Sequence, residues 1–161
     1  NDISAGELDS NMFDTIAQLQ VPYIIMHMKG TPQNMQNNPQ YDAIEKEVKN
    51  YFKEKITLLK QKGVTDIIID PGFGFGKTVE HNYQLLNRLG ELHSLGLPIL
   101  AGVSRKSMVY KPLETDAEHA LNGTTVIHTI CLKKGVSILR THDPKEAMEC
   151  VKLTNFAKTN M

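Results

Sequence analysis

Four brief aliphatic runs bounded by turn-forming residues punctuate the chain: Tyr23 to His27, Asp66 to Asp70, Pro98 to Gly102 and Val136 to Arg140. Their apolar residues are consecutive rather than alternating, which predicts short strands covered on both faces. Between the runs, apolar positions recur at helical spacing. Phe13, Ile16, Ala17 and Leu19 mark a short helix, and Ile44, Val48, Tyr51, Phe52, Ile56 and Leu59 a longer one ending at Gly63. Tyr83, Leu85, Leu86, Leu89 and Leu92 predict a third that stops at Gly96, and segments 117–134 and 144–156 supply the last two.

Buried strands alternating with amphipathic helices call for a parallel sheet with right-handed crossovers, the α/β class. The strand ends at Met26, Asp70, Gly102 and Arg140 are 44, 32 and 38 residues apart, each room for a loop, a helix and a return loop. No low-complexity tract or Pro- or Ser-rich linker divides the chain, so one domain is expected.

Composition narrows the function classes. The 161 residues are 40% hydrophobic and 22% charged, as in one soluble globular core. Eighteen Lys and Arg balance eighteen Asp and Glu, which leaves no general electrostatic footprint for nucleic acid or an anionic membrane. No apolar run is long enough for a membrane span or a signal peptide. Cys131 and Cys150 lack CxxC spacing and fit a reducing, cytoplasmic setting as buried hydrophobes. The opening, Asn1-Asp2-Ile3-Ser4-Ala5-Gly6, has no Met and reads as a strand end or loop, so the chain is expected to continue upstream.

Two architectures compete. Length favours a flavodoxin-like doubly wound sheet, since a (β/α)8 barrel typically needs about 250 residues. The polar residues favour the barrel. They stand at every strand exit: Asn1-Asp2, His27 with Lys29, Asp70, Ser104-Arg105-Lys106, and Arg140 with His142-Asp143. A doubly wound sheet gathers its site at one switch point, whereas a barrel recruits residues from many strand ends. This distribution predicts the C-terminal half of a (β/α)8 TIM barrel, from the end of strand 4 to helix 8.

The segment Asp70-Pro71-Gly72-Phe73-Gly74-Phe75-Gly76-Lys77-Thr78 carries the most chemistry. It fails the P-loop spacing by one residue and reads G-x-G-x-G where the dinucleotide fingerprint needs G-x-G-x-x-G. A carboxylate ending a strand of three isoleucines is expensive to bury unless N–H donors meet it, and a ligand with such donors suits Asp70. Two of the chain's three arginines, Arg105 and Arg140, stand at strand exits, where a planar, bidentate cation meets anions or stacks on rings. Arg140 and His142, two apart on an extended strand end, are expected to point the same way and share an anion. Asp143 and Pro144 read as the N-cap and first residue of a helix. His81, His93, His119 and His128 show no metal spacing and read as surface or helix residues. The methionines at 12, 26, 28 and 35 read as core filler, with Met26 able to line a flat slot.

Asn1-Asp2-Ile3-Ser4, MHMKGTP at 26–32, DPGFGFGK at 70–77, SRKSM at 104–108 and RTHDP at 140–144 together resemble the dihydropteroate synthases, in order and along essentially the whole chain. The resemblance implies a (β/α)8 barrel whose first three strands lie outside this sequence. It also implies a transferase of folate biosynthesis that joins 6-hydroxymethyl-7,8-dihydropterin diphosphate to p-aminobenzoate and releases diphosphate. Asp70 and Asn1 would meet the pterin's N–H edge, Lys106 its oxygen and ring nitrogen, and Arg140 its face. Arg140 and His142 would hold the departing diphosphate. Met26 and Ile3 would line the slot, Phe75 and Ser107 the p-aminobenzoate pocket, and Gly74 and Gly102 would allow close approach. Magnesium would be held by diphosphate and by residues of the missing part, with no metal ligand in this chain. Sulfonamide sensitivity as a drug target and a homodimer through the late helices are family expectations as well. A pterin-dependent methyltransferase module, disfavoured by SRKSM, and a phosphate- or nucleotide-binding α/β protein are the alternatives.

Overall fold

The computed structural model describes residues 1–160. Its strands are β1 (Tyr23–Met26), β2 (Ile67–Asp70), β3 (Leu100–Ala101) and β4 (Ile138–Leu139), all parallel to their neighbours. β1 pairs with β2 in the register Tyr23 to Ile67 through Met26 to Asp70, and β3 pairs with β4 as Leu100 to Ile138. Single parallel bridges complete the row, Asp2 to Ile25 at one end and Ile69 to Ile99 in the middle. Each strand therefore lies beside its neighbour in sequence. A flavodoxin-like sheet would reverse its strand order at a switch point, and no reversal occurs here.

The strands are shorter than the aliphatic runs that announce them. Pro98 has no N–H to donate, and its carbonyl accepts from Ile69 before the β3 ladder begins. The helices are α1 (Met12–Leu19), α2 (Ile44–Gln61), α3 (Val79–Asn87), α4 (Ser107–Tyr110), α5 (Leu121–Lys133) and α6 (Pro144–Thr159). The third helix expected from the apolar spacing is two pieces, α3 and a 3₁₀ segment over Leu89–Leu95 that ends at the left-handed Gly96. The helix expected to start at Ala117 begins at Leu121, because 117–120 is a loop held by Arg105.

Burial follows the pattern that predicted it. Ile25, Met26, Val48, Phe52, Leu59, Ile69, Leu85, Leu89, Leu92 and Ile99 are all sealed in the core, as is Cys131, and Cys150 is buried between α5 and α6. α5 packs along α6. That pair leaves a largely apolar groove of about 720 Å³ bordered by Val126 and Leu153, both more than half exposed, while the equally exposed Met148 and Phe156 of α6 lie outside it. No helix among the described residues is long and apolar enough to cross a membrane.

Candidate active site

Strand direction places all the exits at one end of the row, so Asp70, Gly102 and Arg140 lie beside one another. Asp70 is wholly buried. Its Oδ1 accepts the Gly72 N–H at 2.9 Å. Its Oδ2 lies 3.1 Å from Arg140 Nη2 as an ion pair, yet no donor among the described residues is aligned to hydrogen-bond it. Burial raises the Asp70 pKa, opposed by that N–H and by Arg140, Lys106 and Lys77. The result is a buried acceptor, ringed by cations, with one oxygen still to be satisfied.

The glycine-rich turn is shaped by its surroundings. Gly72 has φ +68°, and a Cβ there would stand 1.9 Å from the His27 carbonyl oxygen. Gly76, at φ +62°, would meet the Lys29 carbonyl at 2.4 Å. Only glycine fits either place. The 30–41 segment lies over this turn, with Gln36 Nε2 donating to the Gly74 carbonyl and Tyr41 Oη to that of Gly76, both at 2.8 Å.

Lys77 and Thr78 do not serve phosphate. Lys77 is 3% exposed and donates to the Gly72 and Phe75 carbonyls at 3.0 Å and to His27 Nδ1 at 2.9 Å. While Lys77 is charged its ammonium has only protons to offer, so neutral His27 then accepts at Nδ1 and carries its own proton on Nε2. Thr78 caps α3, its Oγ1 accepting the His81 N–H while its own N–H donates to His81 Nδ1. Sequence spacing does not reveal this inward lysine, because one of its partners, His27, belongs to another strand exit and the others are backbone carbonyls of its own turn.

Burial also sets the lysine charges. It pushes Lys77 down to about 7 and Lys106 to about 8, with Asp70 opposing both shifts. An unfolded lysine holds its proton to about 10.4. Between those values the unfolded state binds more protons, so stability should rise with pH from about 7 to 10. Denaturant midpoints of the intact protein across that range should climb, and less steeply in Lys77→Met. A slope unchanged by the substitution would remove Lys77 as its source.

Lys106 is bent across the turn. Its Nζ donates to the Phe73 carbonyl and sits 4.8 Å from the centre of the Phe75 ring, and its stem crosses Gly74, where a Cβ would meet Cδ at 3.3 Å. Arg140 lies over Gly102, whose Cβ would stand 2.7 Å from Nη2. His142 turns to Ser104, two residues further along the same pairing, with Nδ1 3.0 Å from Oγ. Ser107 opens α4 and lines a groove of about 640 Å³ with Gln36, Thr78 and Lys111, whose walls exclude Asp70 and Arg140. Met26 is fully buried, Ile3 is half-buried and Asn1 is exposed.

Two side chains read as site or cap residues do other work. Arg105 makes a bidentate pair with Asp143, at 2.9 and 2.8 Å, and its Nη1 also donates to the Ala117 and Glu118 carbonyls. Asp143 consequently makes no side-chain cap on α6, although it stands at the cap position. Its carboxylate is held below the usual range by Arg105. Asp2 is likewise structural, its oxygens taking the Ser4 and Gly6 N–H groups and the Ser4 and Tyr23 hydroxyls. His128 is a helix residue, as the spacing allows, but a buried one in α5, and burial lowers its pKa.

The family model for pterin binding enzymes matches residues 1–142. The chain is 42% identical over 152 residues to the dihydropteroate synthase of Escherichia coli strain K12, covering 91% of this chain and 54% of that protein. It is 38% identical over 155 residues to that of Haemophilus influenzae, covering 95% and 56%. A crystal structure of Yersinia pestis dihydropteroate synthase in complex with a sulfonamide drug superposes with a TM-score of 0.96 at 36% identity, over 100% of this chain and 59% of that one. A Xanthomonas albilineans dihydropteroate synthase bound to 7,8-dihydropteroate gives 0.90 at 32% identity, over 98% and 58%. The chain thus spans about half the length of the curated relatives it matches. With a family model across residues 1–142 and the same fold in these neighbours, the chain belongs to the pterin binding enzymes.

Proposed function

We propose that this chain is the C-terminal part of a dihydropteroate synthase, and that its strand row is half of a (β/α)8 barrel closed by a segment outside it. The observation that carries the reading is Asp70 Oδ2, a buried carboxylate oxygen with no hydrogen-bond donor. A pterin presents amino and ring N–H groups along one edge, the partner that such an acceptor lacks. Relatives sharing 38–42% identity with this chain bear the same activity name. The strand order supports the barrel, since a half barrel runs its strands in sequence.

The reaction joins the exocyclic methylene of 6-hydroxymethyl-7,8-dihydropterin diphosphate to the p-aminobenzoate nitrogen. The carbon–oxygen bond breaks as diphosphate leaves, positive charge spreads over the pterin, and the amine attacks and loses a proton. No side-chain nucleophile is needed. Asp70 stabilises the cationic ring, Lys106 meets its oxygen, and Met26, Ile3, Asn1, Gly74 and Gly102 shape the slot. Arg140 stacks on the ring and, with His142, holds the leaving group. Phe75, beneath Lys106, and Ser107 border the amine's pocket, and Lys111, one turn on from Ser107 in the same groove, offers a cation for its carboxylate.

Among the described residues no three His, Cys, Asp or Glu side chains converge. Magnesium would be held by the diphosphate and by residues outside this chain. The exposed apolar groove between α5 and α6 supports a homodimer formed through those helices.

Product formation by the intact protein from the two substrates tests the reaction. Arg140→Ala should lose affinity for both pterin and diphosphate, whereas His142→Ala should lose chiefly diphosphate affinity, each measured by titration calorimetry. Equal defects confined to pterin would contradict the assignment.

A further inference from the structure

We propose that Ser104 is a positioning residue that fixes His142 as the tautomer protonated at Nε2 and directs that N–H toward the leaving diphosphate. The inference rests on the placement of His142 in the proposed reaction. Ser104 follows β3 and is 3% exposed, so solvent does not complete its hydrogen bonding. Its Oγ lies 3.2 Å from the His142 backbone nitrogen and 3.0 Å from His142 Nδ1. The backbone N–H only donates, so one lone pair of the hydroxyl is occupied. No other acceptor among the described residues meets the hydroxyl proton, which leaves Nδ1 to take it. A ring protonated at Nδ1 would instead strand a buried hydroxyl proton, an arrangement folded proteins avoid. Nδ1 is thus the acceptor, and Nε2, on the open side of an exposed ring, bears the proton.

The backbone beneath the ring is held independently. The adjacent residue, Asp143, gives both carboxylate oxygens to Arg105, the residue after Ser104. Arg105 occupies the left-handed region at φ +53°, rare for a side chain of its size, and its own N–H donates to Thr124 Oγ1 at 3.0 Å. Two consecutive residues of the β3 exit therefore grip two consecutive residues of the β4 exit. The serine sets which nitrogen donates, and the arginine sets where the turn lies.

The test uses the intact protein labelled with nitrogen-15 at histidine, with Ser104→Ala and, as a control that leaves Nδ1 alone, Asp143→Asn. In the parent and in Asp143→Asn, His142 should show the widely split nitrogen shifts of a single neutral tautomer. In Ser104→Ala the two shifts should converge toward those of a free imidazole ring. Inorganic diphosphate affinity should fall about three- to tenfold in Ser104→Ala while pterin affinity holds. Unchanged shifts in Ser104→Ala would overturn the tautomer assignment. Converged shifts with undiminished diphosphate affinity would overturn the positioning role, provided His142→Ala does weaken diphosphate. If His142→Ala leaves diphosphate binding intact, the reading of His142 in the reaction fails instead.

Discussion

Asp70→Asn should weaken pterin binding by roughly ten- to a hundredfold in a protein that still folds. The substitution keeps the shape at the end of β2 but exchanges a charged acceptor for a neutral amide. A hydrogen bond to a charged group contributes about 1.5–3 kcal/mol, which sets that range. The amide nitrogen would also bring two protons toward the N–H edge of the pterin or toward Arg140, which lies 3.1 Å from Oδ2. Titration calorimetry on the intact protein checks the result. Pterin binding that survives unchanged in a folded Asp70→Asn would remove this carboxylate from the site.

The second large effect concerns residues 1–161 expressed alone. Asp2 pairs with β1 on one side only, and β4 pairs with β3 on one side only, among the described residues. Two such edges, with Ile138 exposed on β4, invite intermolecular pairing. The polypeptide alone should therefore be poorly soluble, melt without cooperativity and form no dihydropteroate. Supplying the segment that carries the first barrel strands, fused or in trans, should restore a sharp melt and turnover. A monodisperse, cooperatively melting and active 161-residue protein would defeat the half-barrel reading.

Strands and the acidic strand end were legible because they depend on local pattern. Three isoleucines running into Asp70 announce both the strand and the cost of ending it in a carboxylate. Alternating glycines marked a backbone that admits no side chain, which the close carbonyls of His27 and Lys29 explain. What escaped the sequence lies between segments distant along the chain. Lys77 reaches His27 fifty residues away, and Arg105 and Ser104 reach Asp143 and His142 thirty-eight residues away. Composition made Arg105 look like an anion ligand and Asp143 a cap, since each has the right chemistry and each is claimed by the other. The split of the third helix was hidden too, because Leu85, Leu89 and Leu92 face the core equally well from a helix that tightens after Asn87.

Because every strand lies beside the one made just before it, this fold is suited to assembly while the polypeptide is still leaving the ribosome. Each new βα unit, about 40 residues long, finds its docking edge already in place and waits for nothing downstream. At roughly 5–20 residues per second a unit emerges every 2–8 s or so, far longer than the roughly 0.1–100 μs in which a chain of this size collapses. The nascent protein can grow from one edge to the other, with the order of translation serving as the order of folding.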